Sequence, residues 1–212
     1  MVILFDLDGT VIDSTEPIVA SFQHAFVQMS KEPPRREQIF DQIGHPLDVM
    51  FENLCAPREL ISDFVTIYKE KYREISFAGT FLIDGAKEAI ELASSFATLG
   101  VVTTKTSKYS AELLEYLGVM HHFGTLVGRE DVVYPKPNAE PILTALSRLG
   151  KVADENSWMI GDTMMDIDSA KNAGISHVGV FTGYAPKDII MQGAKHYADN
   201  ALLAVELIRQ KI

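Results

Sequence analysis

The 212-residue sequence contains a single cysteine, Cys55. An intrachain disulfide and a cysteine-based metal cluster are both excluded. Flanked by Leu54 and Ala56, this thiol reads as a small buried hydrophobe rather than a nucleophile. No run approaches the roughly 18 uninterrupted apolar residues that a membrane-spanning helix needs, so no membrane partner is expected. The N-terminal apolar run meets Asp6 too soon for a signal peptide, and a cytoplasmic location is the expectation. Positive charge is also scarce: 19 Lys and Arg stand against 29 Asp and Glu, a net charge of −10. Without a concentrated basic footprint, nucleic acid is not an expected partner. An acidic chain that handled phosphate would need a cation to offset its own field.

The first ten residues carry the most information. Val2-Ile3-Leu4-Phe5 is an apolar run that predicts a strand buried on both faces, and it leads directly into Asp6-Leu7-Asp8-Gly9-Thr10. Ionised carboxylates are costly to desolvate and persist mainly when paired, hydrogen-bonded or metal-bound. In open α/β folds the carboxyl ends of the strands are where ligands bind. A reactive site at a strand tip is the implication.

From Ser14 to about Gly79 the pattern is helical. Asp13 and Ser14 suit an N-cap, with Ile18, Phe22, Ala25, Phe26 and Met29 following at helical spacing. After Pro33-Pro34, helices are predicted around Arg36–Gln42, Pro46–Leu54 and Arg58–Ile75. From Phe81 onward helix and strand alternate. Strands are predicted at Leu99–Val102, Thr125–Val127, Ser157–Ile160, His177–Val180 and His196–Ala198. Helices are predicted at Gly85–Ser95, Ser107–Leu117, Ala139–Leu149, Asp166–Ala173 and Ala201–Arg209. Such alternation predicts an α/β fold, a Rossmann-like parallel sheet with helices on both faces. The expected organisation is a core of residues 1–13 and 82–212, with a small helical domain, 14–81, inserted after the first strand.

Four polar segments end strands or open helices in the α/β part of this pattern: Asp6-x-Asp8-Gly9-Thr10, Val102-Thr103-Thr104-Lys105, the loop Tyr134-Pro135-Lys136-Pro137, and Gly161-Asp162-x-x-x-Asp166. Together they supply two carboxylate pairs, a hydroxyl and a lysine at one sheet edge. That set suits Mg²⁺, which favours carboxylate oxygens, substrate phosphate and retained waters. In order and separation these motifs resemble those of the haloacid dehalogenase superfamily of phosphohydrolases, over essentially the whole chain. The helical insertion resembles the cap of its phosphoglycolate-phosphatase-like branch. Thr104 departs from the pattern, since members of this branch often carry Asn there.

The resemblance implies the chemistry. Asp6 would attack phosphorus and form an aspartyl-phosphate, and Asp8 would protonate the leaving group and later deprotonate water. Thr103 would donate to a phosphoryl oxygen, and Lys136 would offset charge on Asp6 and on the transferring group. Mg²⁺ would be held by Asp6, the main-chain carbonyl of Asp8, and Asp162. Asp166 would sit behind these ligands, holding a metal-bound water or orienting Lys136. Lys105 and Lys108, near a helix start, read as solvated.

The implied function is Mg²⁺-dependent hydrolysis of small phosphate monoesters, phosphoglycolate phosphatase-like, with a small phosphorylated metabolite as partner. Pyrophosphatase or 5′-nucleotidase activity of the same branch is the alternative, and a sugar-phosphate mutase stands behind both. Asp8 counts against a dehalogenase, which needs no leaving-group acid. A non-enzymatic phospho-acceptor domain is disfavoured, because it carries no acid two residues after the acceptor. The segment Gln42-Ile43-Gly44-His45-Pro46-Leu47 resembles the branch's cap loop, with His45 a candidate substrate contact. Arg35, Arg36, Lys69 and Arg73 are further candidate anion contacts. Oligomeric state is not readable.

Overall fold

The computed structural model describes residues 1–211. The chain divides into two compact units, Met1–Asp13 with the chain from Leu82 onward, and Ser14–Phe81.

The first unit is an α/β layer structure. Strands β1 (Val2–Phe5), β4 (Thr98–Val102), β5 (Phe123–Val127), β6 (Ser157–Gly161), β7 (Ser176–Val180) and β8 (Tyr197–Ala198) form one sheet in the order β5-β4-β1-β6-β7-β8. Every pairing in this sheet is parallel. Two-residue strands β2 (Ile12–Asp13) and β3 (Phe81–Leu82) flank the helical segment in the sequence. Alternation along β1 explains its unbroken apolar run. Ile3 and Phe5 enter one core with Ile90, Leu99, Val101 and Trp158. Val2 and Leu4 enter a second core on the opposite face with Val102, Ile142 and Met159. A strand buried on both faces has no solvent side on which to place polar residues. The chain builds outward from β1 to β5, then returns to β6 on the other side of β1. The strand order therefore reverses beside β1, the position at which open α/β sheets form a ligand crevice.

Helices α5 (Ala86–Ser94), α6 (Ser107–Tyr116), α7 (Glu140–Arg148), α8 (Met164–Ala173), α9 (Lys187–Gly193) and α10 (Ala201–Arg209) accompany the sheet. Expected and observed elements coincide closely, with three instructive differences. The strand expected at Thr125–Val127 begins at Phe123, because a register irregularity beside Gly100 lets Phe123 pair with Leu99. Helix α8 begins at Met164 rather than Asp166, because Thr163 acts as its N-cap and the Asp166 carboxylate folds back onto it. Helix α9 was not expected; it buries Ile190 fully, and its seven residues are too few to display a period.

The second unit consists of α1 (Thr15–Gln28), α2 (Arg36–Phe40), α3 (Leu47–Asn53) and α4 (Ile61–Gly79). Its core is aromatic: ring centroids lie 4.5 Å apart for Phe22–Phe51, 4.8 Å for Phe22–Tyr68 and 4.9 Å for Phe26–Phe64. Such pairs each add about 0.5–1.5 kcal/mol beyond area burial. Helix α4 runs past the expected Ile75 to Gly79, which packs so closely on Pro17 that a Cβ would lie 2.7 Å from its Cγ. Arg36 is held by Glu16 at 2.7 Å, and Arg35 by Gln38. The expectation for Cys55 fails, since the thiol is exposed. It occupies the left-handed position after α3 (φ 64°), where its N–H bonds Glu52 O and that of Ala56 bonds Phe51 O. This is the Schellman closure of a helix end, and it buries Ala56 instead of Cys55.

Among the described residues, no helix is long and apolar enough to cross a membrane. His177 on β7 is buried, and its Nε2 accepts the N–H of Lys195 at 3.1 Å. Burial, with Lys171 and His196 nearby, pushes its pKa from 6.5 down to about 4. A group held neutral in this way stabilises the fold above its unfolded pKa and loses that contribution as pH falls toward its folded pKa. Urea unfolding should therefore show a loss of about 2 kcal/mol near pH 5 that His177→Gln removes. Parallel pH dependences for the two proteins would contradict this.

Candidate active site

Three adjacent strand tips converge. Asp6 follows β1, Thr103 follows β4 and Asp162 follows β6, and all three residues are buried. Parallel register carries each chain past its strand at nearly the same level. Phe5 pairs with both Val101 and Ile160, the Asp6 N–H bonds Ile160 O at 2.9 Å, and the Thr103 N–H bonds Val127 O at 2.9 Å. Lys136 arrives from the loop before α7, where the Lys136–Pro137 peptide is cis.

The Lys136 ammonium is 3% exposed and sits among three acceptors. Its Nζ donates to Asp6 Oδ1 at 2.7 Å, Asp166 Oδ1 at 2.5 Å and Val102 O at 3.2 Å. Three bonds account for all three protons of the ammonium. Burial alone would lower its pKa, but Asp166 and Asp6 outweigh burial and hold the pKa above the ordinary lysine value. Asp166, 1% exposed, is saturated from the other side, since its Oδ2 accepts both the N–H (3.0 Å) and the hydroxyl (2.7 Å) of Thr163. The helix start thus locks Asp166, and Asp166 locks Lys136.

Asp162 is fully buried. Its Oδ1 accepts the Thr10 hydroxyl at 2.9 Å, and its Oδ2 accepts the Tyr184 N–H at 2.9 Å. Gly9 makes this packing possible. It has φ +85°, and a Cβ there would lie 2.5 Å from Asp162 Oδ2. Thr182 closes the turn from β7 by donating to Gly9 O at 2.7 Å.

The carboxylates of Asp6, Asp162 and Asp166 each offer an oxygen within 4.8 Å of the others. Burial, then Asp166, pushes Asp6 from 3.8 up to about 7, against the pull of Lys136. Burial, then Asp6 and Asp166, likewise raises Asp162 well above the carboxylate range. Three clustered carboxylates with one ammonium leave an excess of negative charge that further positive charge would relieve. An all-oxygen donor set of this kind fits a hard divalent cation such as Mg²⁺. The Asp8 carboxylate belongs to no such cluster among the described residues; its Oδ2 lies 3.3 Å from Lys105 Nζ.

The six residues assigned from the sequence to catalysis and metal binding, Asp6, Asp8, Thr103, Lys136, Asp162 and Asp166, all fall in the first unit, and Lys136 touches both Asp6 and Asp166, whereas the candidate substrate contacts His45, Arg35, Arg36, Lys69 and Arg73 fall in the second. Lys105 is the correction. Expected to be solvated, its side chain is only 13% exposed and paired with Asp8. Thr10, Thr182 and Tyr184 were also missed as supports of this centre. Thr10 lies within the first motif, but Tyr184 contributes a main-chain N–H that no side-chain pattern announces.

The profile of the haloacid dehalogenase-like hydrolases matches residues 3–180. A pyrophosphatase, PpaX, of Bacillus velezensis is 37% identical over 180 residues, covering 84% of this chain and 82% of that protein. A phosphoglycolate phosphatase of Salmonella typhi is 29% identical over 212 residues, covering 89% and 84%. Among solved structures, the haloacid dehalogenase-like hydrolase SP0104 of Streptococcus pneumoniae superposes with a TM-score of 0.86 at 26% identity, covering 97% of each chain. The chain belongs to the haloacid dehalogenase-like hydrolase family. It is an enzyme, a phosphatase of that family.

Gly9→Ala should destabilise the protein by about 1–3 kcal/mol, through backbone strain and displacement of Asp162. Equilibrium unfolding measures this, and a change below about 0.5 kcal/mol would contradict the packing argument.

Proposed function

We propose that this enzyme is a Mg²⁺-dependent hydrolase of small phosphate monoesters that works through an aspartyl-phosphate on Asp6. The observation that carries this reading is the grip of Lys136 on Asp6 Oδ1 at a buried strand tip, with Asp8 two residues further on. Asp6 attacks phosphorus, the bond from phosphorus to the leaving oxygen breaks, and Asp8 delivers a proton to that oxygen. Asp8 then takes a proton from water, whose oxygen attacks phosphorus, releasing inorganic phosphate and restoring the Asp6 carboxylate.

Lys136 spends its protons on protein acceptors, so it acts on the transferring group through its charge and through the aim of Asp6. Thr103 Oγ1 accepts the Lys105 N–H at 3.2 Å, which leaves the hydroxyl proton to donate to a phosphoryl oxygen. Asp6, the Asp8 carbonyl and Asp162 would hold Mg²⁺, with Asp166 orienting Lys136 behind them. When bound, the cation supplies positive charge to the carboxylates and to the phosphoryl oxygens. Asp6, Lys136 and Thr103 read only the phosphoryl group, and on this reading the helical unit, residues 14–81, is a cap that contributes to selecting the leaving group. The enzyme's place is the cytoplasm.

Phosphoglycolate is the first reading, because phosphoglycolate phosphatases recur among the relatives that match most of the chain. Pyrophosphate is the second reading, favoured by the 37% identity to a pyrophosphatase. Phosphate release with Mg²⁺ across phosphoglycolate, pyrophosphate, p-nitrophenyl phosphate, nucleoside monophosphates and hexose phosphates tests both. Turnover on a small ester, lost with chelator, is expected; no turnover on any would overturn the reading. Asp6→Asn should lower kcat by at least about 10³-fold. Asp8→Asn should slow the single-turnover steps, and unchanged kinetics would remove Asp8 from its acid–base role.

A further inference from the structure

Lys105 is the second ammonium in contact with a carboxylate of this centre, and no step above uses it. Its side chain and that of Asp8 are each 13% exposed, which separates the pair from ordinary surface ion pairs. At 3.3 Å the contact is longer than the roughly 2.7–2.9 Å of a strong charge-assisted bond. The main chain beneath it is anchored. Lys105 O accepts the Arg129 N–H at 3.0 Å, and its N–H bonds the Thr103 hydroxyl oxygen at 3.2 Å. Two residues on, the Ser107 N–H bonds both carboxylate oxygens of Glu130 at 3.0 Å. Gly128 packs so tightly on this loop that a Cβ would lie 2.7 Å from Lys105 O. An anchored stem therefore carries the ammonium to the side of Asp8.

Position decides what that ammonium meets. Lys136 has no proton left for substrate, whereas Lys105 stands beside Asp8, the group assigned above to protonate the leaving oxygen. We propose that Lys105 binds a second anionic group, a carboxylate, on the leaving portion of the substrate. Asp8 holds the ammonium in place until that anion arrives. This rests on the assignment of Asp6 and Asp8 to phosphoryl transfer. It makes Lys105 a specificity-determining residue supplied by the core rather than by the helical unit.

The test compares phosphoglycolate with 2-hydroxyethyl phosphate, an ester of similar size whose leaving group is neutral, using wild type, Lys105→Met and Lys105→Arg. Wild type should favour the carboxylate ester by about tenfold or more in kcat/KM. Lys105→Met should lower activity on both, since Asp8 loses an ion pair, but the loss on phosphoglycolate should exceed the other by about tenfold. That excess should lie mainly in KM. Lys105→Arg should retain most of the preference. Equal losses on the two esters, or no preference in wild type, would overturn the proposal while leaving the hydrolase reading intact. Failure of wild type to release phosphate from any compound of the panel above, or full activity in Asp6→Asn, would overturn both, whereas turnover of the panel without turnover of phosphoglycolate would overturn this proposal alone. Matching melting curves for the three proteins show that the comparison is made between folded enzymes.

Discussion

Asp6, Asp162 and Asp166 lie close enough together in the interior that their mutual repulsion must be met by positive charge, and within the protein that charge is the Lys136 ammonium. Desolvating an ion costs several kcal/mol even after relaxation, so a buried pair endures only with good geometry and satisfied hydrogen bonds. Both conditions hold here. Lys136 meets three oxygens, Asp166 is fastened by Thr163, and Asp162 is fastened by Thr10 and Tyr184. The remaining negative charge is what a divalent cation, as proposed, would relieve.

The sheet makes this arrangement possible. A strand with no solvent face puts its polar residues at its tip, and parallel neighbours bring several tips to one level. Asp6, Thr103 and Asp162 are contributed by three adjacent strands, and each is joined to the next strand's main chain or loop. The glycines nearby serve the carboxylates: Gly9 and Gly183 would each drive a Cβ into Asp162. On the proposed mechanism, two aspartates two residues apart do different work from these hydrogen-bonded strand tips.

Much of this was legible in the sequence, for identifiable reasons. The apolar run of β1 and the alternation after Phe81 are strong local patterns, and the four motifs carry side-chain chemistry in their residue types. Boundaries were less legible where a contact distant in sequence fixes them, as for Phe123 beside Leu99 or Gly79 against Pro17. Cys55 was misjudged because apolar neighbours suggest burial, whereas the helix end demanded a left-handed residue whose side chain points out. Lys105 was misjudged because its partner Asp8 stands 97 positions away, and no local pattern reports such a pair. Main-chain donors such as the Tyr184 N–H are invisible to motif reading altogether.

The central claim is that Asp6 is the group that bonds to phosphorus. Rapid quenching of the enzyme during turnover with Mg²⁺ and substrate, followed by peptide mapping by mass spectrometry, tests it most directly. A phosphoryl group recovered on Asp6, and formed fast enough to account for turnover, is the predicted result. Turnover with no label on Asp6, or with the label on another residue, would contradict the account.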